Sequence, residues 1–191
     1  MEAALRLLLP RVLGDITFTI YPYQCKDELL GRLPERLRGY SGWLPKQWRI
    51  LVVLDRDDDD CHELKCRLEQ MASAARLRTR SNAGGRNYQV VTRLAIEELE
   101  AWYFGDWDAV RAAYPKVPGT IPSQARYRNP DAISGGTWEA FERILQRAGY
   151  FQMGLRKIEA ARSIAERWQP EVNRSRSFRM FHEVLQEMST R

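Results

Sequence analysis

Residues 50–60 read Ile50-Leu-Val-Val-Leu-Asp55-Arg-Asp57-Asp-Asp-Asp60, an apolar run that stops in a cluster of carboxylates. Five consecutive aliphatic residues predict a strand buried on both faces, as in a parallel sheet covered by helices. Open α/β sheets carry their chemistry at the carboxyl ends of such strands. Asp55 and Asp57 would project from that end toward nearly one place. Carboxylates so crowded repel unless one is protonated or a cation sits between them. A hard cation that favours oxygen ligands, Mg²⁺ or Mn²⁺, answers that repulsion. Asp58, Asp59 and Asp60 read instead as a solvated loop that caps the next helix, since Asp is a preferred N-cap residue.

Working outward, the chain has 191 residues, enough for one substantial core or for one domain with a small appendage. It contains no apolar stretch of about 18 residues, so no membrane-spanning helix is expected. Leu7-Leu-Leu9 is too short for a secretory signal and lacks its flanks. The three cysteines, Cys25, Cys61 and Cys66, make no disulfide framework, and their odd number fits a reducing cytoplasm. Thirty basic residues against 25 acidic ones give a net charge of +5. Arginines and lysines crowd the C-terminal half, whereas the densest acidic cluster is 55–60. A basic surface around an acidic metal centre suits phosphodiester chemistry. Arginine-rich helices are also common in proteins that touch no nucleic acid.

Periodicity predicts helices over 1–12, 26–37 (with Pro34 as a kink), 61–77, 96–104 and 107–114, the last two separated at Gly105. Strands are expected at 16–20, 50–55 and 88–95, with a glycine-containing turn at 81–87. Alternation of this kind gives βαβ units and a parallel sheet. Residues 115–136 carry four prolines and Gly135-Gly136 and read as a long irregular loop. Three helical segments follow, at about 137–148, 155–168 and 177–188. The expected division is an α/β core over 1–114, a loop over 115–136 and a helical segment over 137–191, together one compact body. A flavodoxin-like three-layer domain is the alternative architecture.

A second acidic segment, Glu97-Glu98-Leu-Glu100, follows the strand at 88–95 and is expected near the same sheet edge as Asp55. One of Glu97, Glu98 and Glu100 could complete a metal cage; as a first-turn cluster they would equally favour the helix dipole. Leu99, Trp102 and Tyr103 read as core. His62 and Cys66 share a helix face, but zinc sites usually need four ligands, and few other candidates exist. Asn82-Ala-Gly-Gly85 matches no phosphate-loop pattern, and no Gly-x-Ser-x-Gly occurs. Arg126, Arg128 and Lys157 are candidates for contact with a nucleic-acid backbone. Arg174 and Arg176 could clamp phosphate, or could be solvated beside a cap made by Asn173 or Ser175.

The stretches Leu54–Cys61, Ile96–Asp106, Gly135–Trp138, Lys157–Ala161 and Asn173–Phe178 together resemble the bacterial family called domain of unknown function 4276. The resemblance runs over essentially the whole chain. It implies a small, parallel-rich Toprim-like sheet flanked by helices, the fold shared by topoisomerase–primase domains and overcoming-lysogenization-defect nucleases. It further implies an Mg²⁺-dependent phosphodiesterase acting on DNA or RNA. An ABC-type or AAA ATPase encoded nearby would be its partner in anti-phage defence. Toprim enzymes hold Mg²⁺ with an Asp-x-Asp pair, which falls here on Asp55 and Asp57. Their first-strand glutamate has no clear counterpart; Glu2 is the nearest acid, and the strand is expected either upstream of the given start or not at all. The competing expectation is a non-catalytic binding subunit whose carboxylates dock on an arginine surface of the ATPase.

Overall fold

The computed structural model describes residues 1–84 and 87–190. Gly85 and Arg86 of the expected turn, the first also in the segment compared with phosphate loops, lie outside the described residues, as does Arg191. In chain order the elements are α1 (Glu2–Leu13), α2 (Lys26–Ser41), β1 (Ile50–Asp55), α3 (Cys61–Ala74), β2 (Val90–Ala95), α4 (Glu100–Gly105), α5 (Trp107–Ala113), α6 (Thr137–Arg147), α7 (Lys157–Ala165) and α8 (Arg176–Ser189). The protein is thus mixed α/β, with a small two-stranded parallel sheet. It divides into two compact units, Tyr21–Leu94 and a second made of Met1–Ile20 with the chain from Ala95 onward. This division cuts across the boundaries at 114 and 136 read from the sequence.

In the unit 21–94, β1 and β2 are joined through α3, and Ile50 N–H donates to Gln89 O at 2.8 Å. Thr79 adds an isolated parallel bridge to Val90. Side chains two apart on a strand share a face. Val52 and Leu54 therefore point together into a core with Leu30, Leu33 and Leu37 of α2 and Leu64 and Leu68 of α3. Each such leucine, fully buried, stabilises the fold by roughly 1.5–3 kcal/mol. Leu51 and Val53, on the opposite face, are only partly buried. Burial of β1 therefore alternates, which corrects the expectation of a strand covered on both faces. The hydrophobic run was long enough for two covered faces, but α2 and α3 supply their leucines to one. It is β2 that is buried on both faces, from Val90 through Arg93.

In the second unit, α1 buries Ala4, Leu5, Leu8, Leu9 and Leu13. Its Arg11 donates to the carbonyls of Ala165 (3.0 Å) and Trp168 (2.6 Å), satisfying groups left open where α7 ends. The centre is aromatic: Trp102, Trp168, Phe178 and Phe181 are fully buried, with ring centroids 5.0–6.4 Å apart. Trp102 Nε1–H donates to Ser177 Oγ at 2.9 Å, so the indole is buried without losing its bond to water for nothing. The segment 115–136 is not structureless. Three 3₁₀ turns, at 121–123, 125–127 and 130–132, bury Ile121, Tyr127 and Pro130.

Two expected elements differ. Residues 16–20 form no strand; Ile16 N–H turns back to Leu13 O, and Ile16 and Phe18 stay 39 % and 40 % exposed. Alternation makes a strand only where a neighbour completes the ladder. The helix expected from 96 begins at Glu100, because Glu97 has φ +54°, a left-handed conformation that no right-handed helix admits. Glu97 and Glu100 therefore do not share a helix face.

Candidate functional site

β1 ends at Asp55, and the chain turns at once. Asp57 adopts φ +52°, the left-handed region that Asp and Asn enter more readily than most residues. That turn directs Asp57 Oδ2, Asp59 Oδ2 and the carbonyl oxygen of Arg56 at one positive charge, the ammonium of Lys26. The distances are 2.7, 2.9 and 2.9 Å. Lys26 is the first residue of α2, where a cation faces the positive end of the helix dipole. The carboxylates offset that penalty. Burial by itself would lower the Lys26 pKa, but the hydrogen bonds to Asp57 and Asp59 outweigh it and hold it above the ordinary lysine value.

The remaining aspartates divide as their positions suggest. Asp60 Oδ1 accepts from the N–H groups of His62 (2.8 Å) and Glu63 (2.9 Å), making it the N-cap of α3. Those two backbone bonds hold its carboxyl below the usual range. Asp58 is exposed. Asp59, expected to be solvated, is instead the second carboxylate on Lys26. Sequence reading missed Lys26 altogether, since 30 residues separate it from Arg56 and nothing in local periodicity links them.

Asp55 and Asp57 belong to the unit 21–94, and Glu97, Glu98 and Glu100 to the other. Glu98 Oε2 accepts from Thr137 Oγ1 and from Trp138 N–H, each at 3.0 Å, and so caps α6 from outside the helix. The residue before that helix, Gly136, has φ +80° and offers no side chain to do so. Glu100 is buried in the first turn of α4. Leu99, Trp102 and Tyr103 are core, as expected.

The basic candidates all fall in the second unit. Arg126 donates weakly to Ser134 O (3.3 Å) and lies 5.5 Å from the Tyr127 ring centre. Arg128 is exposed. Lys157, opening α7, places its ammonium 4.4 Å above the Trp138 ring, a cation–π contact on the helix that Glu98 caps. Ser175 caps α8 by accepting from Phe178 N–H (3.1 Å), and Asn173 Oδ1 in turn accepts from Ser175 N–H (2.9 Å), which fits the capping reading of this segment. Cys25, Cys61 and Cys66 are free thiols. Among the described residues, no group of three or more His, Cys, Asp or Glu side chains is placed to hold a metal ion.

What the acidic loop can do chemically is hold a cation with hard oxygens, and in this protein Lys26 fills that role. Among the described residues, no helix is long and apolar enough to cross a membrane. No curated protein and no solved structure matches the chain. The family model described as Domain of unknown function (DUF4276) matches residues 1–188, so the chain belongs to that family.

Proposed function

We propose that this protein is an Mg²⁺- or Mn²⁺-dependent phosphodiesterase of Toprim-like type, acting on nucleic acid beside an ATPase partner in bacterial anti-phage defence. The observation that carries the reading is the convergence of Asp57, Asp59 and the Arg56 carbonyl on a positive charge at the carboxyl end of β1. A loop with that donor set suits a hard divalent ion. Asp55 and Asp57 would hold it, and the ion would polarise a phosphoryl oxygen and offset the charge developing there. Lys26, the resident counter-ion of Asp57, would compete with the metal and, once displaced, would pair with a phosphate oxygen of the substrate. Arg126, Arg128 and Lys157 would contact the nucleic-acid backbone. Glu98, committed to the start of α6, is left out of the ligand set, and any contribution of Glu97 and Glu100 is decided by substitution.

The test is incubation of purified protein with plasmid DNA and with RNA, in Mg²⁺ or Mn²⁺, beside Asp55→Asn, Asp57→Asn, Glu97→Gln and Glu100→Gln. Cleavage by the wild type that disappears in both aspartate variants is expected. Equal cleavage by all of them, or none by any with the ATPase added, would sink the reading.

One observation favours a second reading. Lys26 already pairs with Asp57 and Asp59, so the loop holds a resident counter-ion without a metal. A non-catalytic subunit would use the same carboxylates to dock on arginines of the ATPase. Co-purification lost on Asp57→Asn, with circular dichroism unchanged and no cleavage by the wild type, would support it.

A further inference from the structure

The segment that joins α2 to β1 exposes large aromatic rings. Trp43 and Trp48 are 58 % and 53 % exposed, whereas Trp102 and Trp168 are fully buried. The exposed rings are not scattered. Trp43 meets Trp48 edge to face at 6.1 Å and lies 5.4 Å from Tyr40. Tyr21 is itself 53 % exposed, and the Arg36 guanidinium stands 4.3 Å over its ring. A contiguous exposed patch of this kind marks a binding surface more often than an isolated surface aromatic does.

Charge identifies the partner. From Arg36 to Arg49 the chain carries Arg36, Arg38, Lys46 and Arg49 and no acidic residue. Trp, Tyr and Arg also serve protein interfaces, so it is the excess of cations around the rings that favours a polyanion. Aromatic faces interleaved with cations suit a polyanion whose bases are unstacked and free to lie on the rings. A duplex offers the same phosphates but keeps its base faces covered.

We infer that Tyr40, Trp43 and Trp48, with the basic side chains around them, form a platform that binds single-stranded nucleic acid by base stacking. The inference adds strandedness to the proposed substrate but requires neither cleavage nor a metal ion. Arg38 and Lys46, both exposed, would meet backbone phosphates, and their contribution should fall with salt. The rings would contribute affinity with little preference for sequence.

The test is a titration of the full chain with oligo-dT and with a duplex of equal length, in EDTA, followed by tryptophan fluorescence and by anisotropy of a labelled strand. EDTA silences metal-dependent cleavage, so the titration reads the platform alone; binding in EDTA with no cleavage once Mg²⁺ or Mn²⁺ is restored would reject the phosphodiesterase reading and leave the platform standing, and cleavage in Mg²⁺ or Mn²⁺ without platform binding would do the reverse. Oligo-dT should quench the fluorescence and bind more tightly than the duplex. Trp43→Ala with Trp48→Ala should weaken oligo-dT binding by about tenfold or more while leaving circular dichroism unchanged. Arg38→Gln with Lys46→Gln should weaken it and flatten its salt dependence, which provides an independent readout should the tryptophan variant fail to fold. Equal affinity for duplex and single strand, or oligo-dT binding that neither double variant alters, would overturn the inference. So would an ATPase complex that is lost on removing both tryptophans while oligo-dT fails to bind the wild type.

Discussion

Lys26 Nζ stands 2.7 Å from Asp57 Oδ2, linking the first residue of α2 to the turn that follows β1. The contact anchors a residue with positive φ and places a cation where two carboxylates and a carbonyl oxygen converge. Lys26→Met removes the charge and keeps most of the stem. Because the partner carboxylates are 46 % and 50 % exposed, the metal-free protein should lose only about 1 kcal/mol. Its melting temperature should then gain more from Mn²⁺ than the wild type does, since the ion no longer competes with an ammonium. Differential scanning calorimetry with and without Mn²⁺ reads both effects; a smaller Mn²⁺ gain than in the wild type would show that lysine and ion do not share the site.

The same pair sets an alkaline limit. The folded-state pKa of Lys26 is raised above 10.5 by Asp57 and Asp59 against the opposing effect of burial. Its stabilisation is therefore fully present below the unfolded value and is lost as pH rises through the folded one. Urea unfolding above about pH 10.4 should show a loss of stability that is smaller in Lys26→Met. Identical slopes in the two proteins would remove Lys26 as the cause.

Glu98 distinguishes a structural carboxylate from a ligand. Glu98→Ala strips both capping bonds from α6 and should cost about 1–2 kcal/mol, or about 2–8 °C in melting temperature. Glu98→Gln keeps an acceptor oxygen and should restore most of that loss, with the response to Mn²⁺ unchanged. A Gln variant that melts like the wild type yet ignores Mn²⁺ would return Glu98 to the ligand set.

Gly105, the last residue of α4, is glycine for a steric reason. A Cβ there would lie 2.0 Å from Asn173 Oδ1 and 2.9 Å from the Ser175 backbone nitrogen. Asn173 cannot easily yield, because its amide donates to Trp102 O (2.9 Å) and its Oδ1 accepts from Ser175 N–H. Gly105→Ala should cost about 1–3 kcal/mol by thermal melting. A neutral result would mean that the 173–175 turn can shift as a body.

Most of the helices were legible because they bury one face, as Leu5, Leu8 and Leu9 of α1 and Leu30, Leu33 and Leu37 of α2 do. The strand at 50–55 and the capping role of Asp60 were equally readable, since each rests on neighbours in sequence. Lys26 and the two partners of Glu98 were not. They act across 30 to 40 residues, and a side chain's partner at that range is chosen by the fold rather than by local pattern. The positive φ of Glu97, which delays α4 to Glu100, likewise has no mark in a sequence that otherwise favours helix from Ile96. Ile16-Thr-Phe-Thr-Ile20 shows the reverse failure: its alternation is clear, yet it forms no ladder.

Thermal melting in rising Mg²⁺ or Mn²⁺, for the wild type and Asp57→Asn, tests the proposed ion site most directly. Asn accepts the left-handed backbone at position 57, so the substitution removes the charge without forcing the turn. An ion bound only by the folded state stabilises it by about 2.7 kcal/mol at a hundredfold excess over Kd. For a chain of this size that corresponds to a rise of about 5–10 °C. The wild type should show that rise and Asp57→Asn should not. A wild-type melting temperature that stays fixed through millimolar Mg²⁺ and Mn²⁺ would contradict a metal centre at Asp55 and Asp57.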